Sequence, residues 1–455
     1  MNSKRSKKQK KQYDLTSGSI TKRLLLFALP MMIGNLLQQC YNIADTLIVG
    51  RYLGAQALAA VGSSYTLMTF LTSILIGMCM GSGAVFAIRF GEKDSRKLKE
   101  GILHSFGLIA VMTLVINLGA FLGLDWILKF LQVSAEVAPY MRTYLLAIFT
   151  GITAVFLYNF FAALLRAVGN SLVPLIFLGV SAVLNVALDL AFILLAGWGV
   201  AGAAWATVIA QVVSGLGIGA YTLIKFPEYR ISPKEIHFSR KALGEISQFS
   251  FLTCLQQSIM NFGILMVQGR VNSFGASVMA AFAAAVKIDS FAYMPVQDFG
   301  NAFSTFVAQN YGAGKEERIQ KGVKSAVAAA FLFCIVISAA VCGFAEPLMK
   351  IFISGKEKEI ISIGVGYLRI EGAFYFGIGL LFLLYGYYRA VKKPGMSVIL
   401  TILSLGTRVV LAYALSAIPA IGVTGIWVSV PIGWALADLV GVAVYWRRRK
   451  EKIND

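Results

Sequence analysis

The sequence predicts an all-α polytopic membrane protein: twelve transmembrane helices arranged as two parallel six-helix repeats, an N-lobe and a C-lobe. Three observations carry this. The 455 residues are 58% hydrophobic and 14% charged, with a mean hydropathy of +0.73, more apolar surface than a soluble chain of this length hides. Apolar stretches of about 20 residues, the length a helix needs to cross a bilayer, recur from end to end. The second half repeats the pattern of the first.

Taken in order, the chain opens on a basic tail, residues 1–23, whose first fourteen residues, MNSKRSKKQKKQYD, read as disordered. It does not read as a convincing cleaved signal peptide, because Pro30 and Gln38 interrupt the segment that follows and no small-residue cleavage site is evident. Six apolar segments come next, near 24–48, 57–87, 102–122, 140–165, 172–195 and 200–224, and form the N-lobe over 24–224. The polar stretch KFPEYRISPKEIHFSRKALGEIS, residues 225–247, is the longest gap and reads as a linker, leaving no room for a soluble domain. Six more segments, near 248–270, 278–308, 325–345, 365–388, 396–417 and 422–446, form the C-lobe over 248–446, followed by a basic tail, 447–455. The second and eighth segments are longer than one crossing needs and are expected to tilt or to run past the membrane.

Three landmarks fix the repeat. LLQQCYNIADTLIVGRYLG from Leu36 resembles CLQQSIMNFGILMVQGRVNSFG from Cys254. GEKDSRKLKEGI from Gly91 resembles GAGKEERIQKGV from Gly312, an offset of 221. An offset of 223 pairs Tyr144 with Tyr367, Arg166-Ala167-Val168 with Arg389-Ala390-Val391, and Gly202 with Gly425. Six spans per half is an even number, so both halves start on the same side and are parallel repeats, an arrangement typical of transporters.

The net charge of +19 invites a nucleic-acid reading, but its placement argues for topology. With the N-terminus inside, 31 of the 41 Lys and Arg residues fall on the cytoplasmic side, eight fall outside, and Lys287 and Arg408 lie within spans. This bias places both termini in the cytoplasm and excludes nucleic acid as a partner. The five cysteines all fall in apolar spans with no C-x-x-C pair and read as packing residues. His104 and His237 sit at cytoplasmic edges, too far apart in sequence to make a motif.

Polar residues inside spans are costly, about 2.5–3.5 kcal/mol for an acid at a helix centre, so they should face the bundle interior or water. Gln38, Tyr41 or Asn42, and Asp45 share one face of the first span, although Asp45 could instead sit hydrated at the outer interface. In the fifth span Asn185 and Asp189 are four apart; in the sixth, Thr207 and Gln211; Tyr144 opens the fourth. Carboxylates, an amide, a hydroxyl and a phenol are oxygen donors suited to a proton or a small hard cation. Two carboxylates in a low dielectric would titrate as a coupled pair, taking up a proton or Na+ to relieve their repulsion. At the 223 offset Asn185 becomes Arg408, Asp189 becomes Ala412 and Thr207 becomes Val430, so the ion site is placed in the N-lobe. The C-lobe has its own polar residues, Gln256, Gln257, Asn261, Asp289, Tyr293, Gln297, Asp298, Glu371 and Asp438, and Lys287 or Arg408 is placed to neutralise one of its acids.

QNYGAGKEER is not a phosphate loop, because Gln309 stands where the first glycine belongs and Glu316 follows the lysine. With no nucleotide motif, an ion gradient is the natural power source; one charge moving down 100 mV releases about 2.3 kcal/mol. No nucleophile, base or metal-ligand set marks an enzyme.

Taken together and in order, YNIADTLIVGRYLG, LLRAVGN, LNVALD, GVAGAAWAT and STFVAQNYGAGK resemble the multidrug and toxic compound extrusion (MATE) family over nearly the whole chain. The resemblance implies a secondary antiporter that exports cationic or amphipathic drugs in exchange for H+ or Na+, working by alternating access. The family's N-lobe cation site implies Asp45, Asn185, Asp189, Thr207 and Tyr144 as cation-binding residues, with Na+ possible at the first four. It also implies Gln38 and Tyr41 as cargo contacts; Gln257, Asp289 and Glu371 are candidate contacts in the C-lobe. The NorM-like branch carries an acid in the seventh span where Gln256 and Gln257 stand here, so Glu371 is either a remnant of that branch's site or an independent feature. No cofactor beyond the coupling ion is expected. The expected partners are small organic cations and membrane lipid, for a monomer in the plasma membrane of a prokaryote. A flippase for a lipid-linked sugar, of related fold, is the alternative; it would favour several arginines in a large cavity. A channel or scaffold is a more distant one.

Overall fold

The computed structural model describes residues 14–131, 133–232 and 238–454, with side chains described as far as Glu451. The basic residues 4–11 and His237 lie outside the described residues. What is described is helical, without strands. Among the described residues there are sixteen α-helices: α1 Ile20–Leu53, α2 Ala55–Gly91, α3 Ser95–Leu122, α4 Leu124–Phe130, α5 Ala138–Thr150, α6 Ile152–Ala167, α7 Leu172–Leu190, α8 Gly199–Lys225, α9 Arg240–Asn272, α10 Ala276–Gly312, α11 Glu316–Gly343, α12 Ala345–Phe352, α13 Lys358–Gly372, α14 Tyr375–Ala390, α15 Pro394–Ser416 and α16 Thr424–Asn454.

Ten of these are long and apolar enough to cross a bilayer; α7 continues into a π-turn at Ala191–Leu195. Two further crossings are each built from two helices meeting at a bend, α5 with α6 at 44° and α13 with α14 at 51°. With each bent pair taken as one crossing, the fold has the twelve spans and the multi-pass character that the hydropathy predicts. The repeat extends to helix boundaries: α2 and α10 are 37 residues each, α3 and α11 are 28 each, and the short α4 and α12 occupy matching places. A 37-residue helix is roughly 55 Å long, well beyond a hydrocarbon core of roughly 30 Å.

The bend between α5 and α6 has a local cause. A Cβ on Gly151 would stand 2.8 Å from Gln211 Oε1 and 3.2 Å from the Ile148 carbonyl oxygen, so a larger residue there would push on Gln211 of α8. Hydropathy alone shows a continuous fourth span, because the bend changes direction without changing composition.

The chain forms two compact units, Leu29–Cys254 and Leu15–Ala28 with Leu255–Asp455. In the first, the start of α9 packs closely on α2: a Cβ on Gly77 would lie 2.6 Å from Cys254 Cα, and the Ser82 and Ser250 hydroxyls are 2.9 Å apart. Buried Arg89 at the end of α2 pairs with Glu245 at 2.7 Å and donates to the Lys97 carbonyl at 2.6 Å. His104 Nε2 accepts the Ser239 N–H at 2.9 Å while Nδ1 sits 2.7 Å from the Glu100 carbonyl, which holds the end of the linker. Between α2 and α3, Asp94 caps α3 by accepting the Lys97 N–H at 2.9 Å, and this bond holds the Asp94 carboxyl below the usual carboxylate range.

In the second unit, residues 15–18 are strapped down rather than trailing as a tail. Arg318 donates to the carbonyls of Leu15, Ser17 and Gly18, Lys315 Nζ donates to that of Thr16 at 2.7 Å, and Leu15 N–H donates to Gln309 Oε1 at 3.1 Å. Leu15 and Thr16 are buried in consequence. The boundary at Ala28 and Leu29 falls beside Pro30, where α1 lacks a backbone donor.

Candidate cation site in the first unit

α1 and α7 run side by side in the same direction. A Cβ on Gly34 would lie at ordinary van der Waals distance from Leu175 and Leu178, and one on Gly179 from Leu37. Carried further along both helices, this register brings Asp45 to Asp189. Their carboxyls are close enough to act on one another electrostatically.

Asp189 is fully buried, Asn185 and Tyr144 nearly so, and Asp45 and Thr207 are half-buried. Asn185 Nδ2 donates to Thr207 Oγ1 at 3.2 Å, and Thr207 donates to the Ala203 carbonyl at 3.1 Å. The Tyr144 hydroxyl reaches Thr207 and lies close to both acids. All five residues of the sequence-predicted cation set therefore come together.

The decisive feature is what these oxygens lack. Asp45 Oδ1, Asn185 Oδ1, both Asp189 oxygens and Gln211 Oε1 are buried without a hydrogen-bond partner. Every orphan is an acceptor. Buried acceptors left unpaired cost about 1–3 kcal/mol each, more when charged. A proton or a small cation supplies what such a set lacks. Among the described residues no cluster of three or more His, Cys, Asp or Glu exists, so the set differs from a transition-metal site and suits a monovalent ion. Gln211 is absent from the sequence-predicted set; its four-residue spacing from Thr207 was the available signal.

The proposed cargo contacts are divided between the two units. Tyr41 is half-buried and bonded to the exposed Gln38 on α1. Gln257 is half-buried on α9 of the second unit. Asp289 and Glu371 are buried together in that unit, 5% and 1% exposed. Asp289 Oδ1 accepts from Tyr375 at 2.6 Å, Glu371 Oε2 from Tyr367 at 2.8 Å, and Arg408 Nη2 stands 3.8 Å from Glu371 Oε1. Lys287 instead lies 5.9 Å from the centre of the Phe352 ring. Asp438 on α16 is buried, with Oδ1 unpaired.

The family model MatE matches residues 30–191 and 250–414, most of the chain and both halves of the repeat. The chain belongs to the MatE family. It is a transporter of the MATE class and not an enzyme. It is 30% identical over 447 residues to the probable multidrug resistance protein YpnP of Bacillus subtilis, covering 97% of this chain and 99% of that one. It is 27% identical over 428 residues to the probable multidrug resistance protein NorM of Thermotoga maritima, covering 92% and 90%. A protein of Shewanella oneidensis named FAD transporter is 24% identical, covering 96% of each chain. The fold matches the solved outward-facing conformation of a MATE transporter of the MOP superfamily with a TM-score of 0.91 at 24% identity, over 98% of this chain and 99% of that one. Membership in the family accounts for the duplicated plan: the two matched segments fall in the two halves that the internal offsets delimit.

Proposed function

We propose that this MatE protein is a secondary antiporter that exports cationic or amphipathic organic compounds in exchange for H+ or Na+. It acts by alternating access as a monomer in the plasma membrane of a prokaryote, with both termini in the cytoplasm. The observation that carries the reading is the Asp45–Asp189 pair, in which Asp45 Oδ1 and both Asp189 oxygens are buried without a hydrogen-bond partner. Two ionised carboxylates so placed repel, and one cation relieves the repulsion. An organic cation bound where it senses the same charges competes with that ion. Each then weakens the other's binding by the same factor, so ion entry drives cargo release. The names of YpnP and NorM as multidrug resistance proteins support the cargo class. Export of a flavin nucleotide is a second reading, favoured by the Shewanella oneidensis relative.

The test is efflux of a fluorescent organic cation from proteoliposomes with ΔpH and ΔNa+ imposed separately. One of the two gradients should accelerate efflux, and Asp45→Asn and Asp189→Asn should each remove the acceleration. Gradient-driven efflux that persists in both variants would overturn the reading.

A further inference from the structure

The two halves use the same helix crossing for opposite purposes. In the first unit Val61, Met68, Tyr144, Ile148 and Ala204 belong to or pack against one apolar cluster. Offsets of 221 and 223 carry these positions to Phe282, Asp289, Tyr367, Glu371 and Trp427. In the second unit they are a buried acid pair in an aromatic frame: the Phe282 and Trp427 rings stack at 5.5 Å, and Tyr367 meets Trp427 edge-on at 5.0 Å. The same offset places Arg408 where the first unit has Asn185, a residue of its candidate cation site.

We propose that Arg408 is a tethered substitute for a mobile cation, and that it closes the acid pair of the second unit to Na+ and to a further proton. The groups facing the pair are Asp289 and Tyr293 on α10, Cys342 beside Tyr375 on α11, Tyr367 and Glu371 on α13, Tyr375 on α14 and Arg408 on α15. α16 contributes the neutral Trp427. Tyr367 and Tyr375 donate to the carboxylates, and the tyrosines carry no charge. The Tyr367 hydroxyl lies 2.8 Å from Glu371 Oε2 and 3.4 Å from Asp289 Oδ2, so the two carboxyls are close neighbours, and like charges that close in a buried site favour sharing one proton. That leaves one negative charge, and the guanidinium matches it. Glu371 Oε1 and Arg408 Nε have no hydrogen-bond partner, so the 3.8 Å pairing is held by charge rather than by a closed hydrogen bond. A charge-only pairing is the kind that a small cation can replace once the side chain is gone. Shortening Arg408 to asparagine, as in the first unit, leaves a buried negative charge uncompensated beside the space the side chain vacated. Such a charge is strongly unfavourable until a cation or a proton enters. If the antiport reading holds, the consequence is a single mobile-ion site per chain, in the first unit.

The test uses the full chain in nanodiscs with Asp45→Asn and Asp189→Asn in place. The first unit then contributes no acid pair to any arm, and failure of the antiport reading is separable from failure of this one. Melting temperature is followed as Na+ replaces choline at constant ionic strength, and as pH falls from 8 to 6. With Arg408 present, Na+ is expected to leave the melting temperature unchanged. Arg408→Asn is expected to melt lower in choline at pH 8 and to gain several degrees on adding saturating Na+ or acid. Adding Glu371→Gln should erase both effects, because it removes one charge of each sign, and this neutral pair is the variant to rely on if Arg408→Asn alone does not fold. Arg408→Lys keeps the charge and should stay indifferent to Na+. The proposal is overturned if folded Arg408→Asn responds to neither Na+ nor acid beyond its parent. It is equally overturned if the Arg408→Asn, Glu371→Gln pair is stabilised by Na+, or if the parent is already stabilised by Na+ in a way that Glu371→Gln abolishes.

Discussion

Asp45 on α1 and Asp189 on α7 present their carboxyls to one another, and among the described residues neither is paired with a Lys or an Arg. The second unit solves the same electrostatic problem differently, by setting Arg408 against Glu371. On the antiport proposal, the first unit holds an ion that comes and goes and the second a charge that stays.

Replacing either acid of the first pair by asparagine removes the charge and keeps the shape. Asp45→Asn and Asp189→Asn should each lose gradient-driven efflux in proteoliposomes while inserting and folding normally. At pH 8 each should melt at or above the temperature of the parent, because a buried like-charge repulsion has gone. A large fall in melting temperature with transport retained would assign the pair a structural role.

Gly151 and Gln211 should be coupled. Gly151→Ala puts a methyl group 2.8 Å from Gln211 Oε1 and 3.2 Å from Val208 Cγ2, and overpacking of this kind costs about 1–3 kcal/mol. Gln211→Ala on its own should be milder, since its buried oxygen has no partner to lose. Thermal denaturation of the single and double variants gives the cycle: the double should recover part of the Gly151→Ala loss.

The Asp94 cap makes a pH prediction with a definite sign. Its carboxyl is held below the usual range by the Lys97 N–H, so the folded chain favours the ionised form. That contribution is present above the unfolded value and is lost as pH falls through the folded one. Asp94→Ala should lower stability by about 1 kcal/mol at neutral pH, the ordinary worth of a helix cap. Denaturation series at decreasing pH should show the difference between variant and parent shrinking toward zero once the carboxyl of the parent is protonated.

The strap over residues 15–18 depends on one side chain more than any other. Arg318 holds three of its carbonyls, and hydrogen bonds to charged groups contribute about 1.5–3 kcal/mol each when buried, less here where the guanidinium is partly exposed. Arg318→Ala should raise amide exchange across residues 15–28 and leave exchange in α2 and α3 unchanged.

Much of this was legible in the sequence because it rests on periodicity and composition. The twelve crossings follow from hydropathy, and the offset of 221 recovers the ends of α2, α3, α10 and α11. The five candidate cation-site residues stood out for a related reason: an acid, an amide or a hydroxyl in an apolar span is conspicuous, and spacings of three or four put such residues on one face. The bends at Gly151 and beyond Gly372 were not, since a helix that changes direction keeps its hydropathy. Neither was the strap at Leu15, which depends on carbonyl groups that every residue has. Lys287 and Arg408 looked equivalent as partners for the C-lobe acids, because sequence position does not say which way a side chain leaves its helix.

The central claim is that the Asp45–Asp189 pair holds an ion which cargo displaces. It is tested most directly by adding an organic cation to the purified chain in nanodiscs, in weakly buffered medium containing 22Na+, and measuring ions set free per cargo bound. The account predicts that the parent releases H+ or Na+ as cargo binds, and that the Asp45→Asn, Asp189→Asn chain binds cargo without releasing either. Equal release from parent and variant, or tight cargo binding by the parent with no ion released, would contradict it.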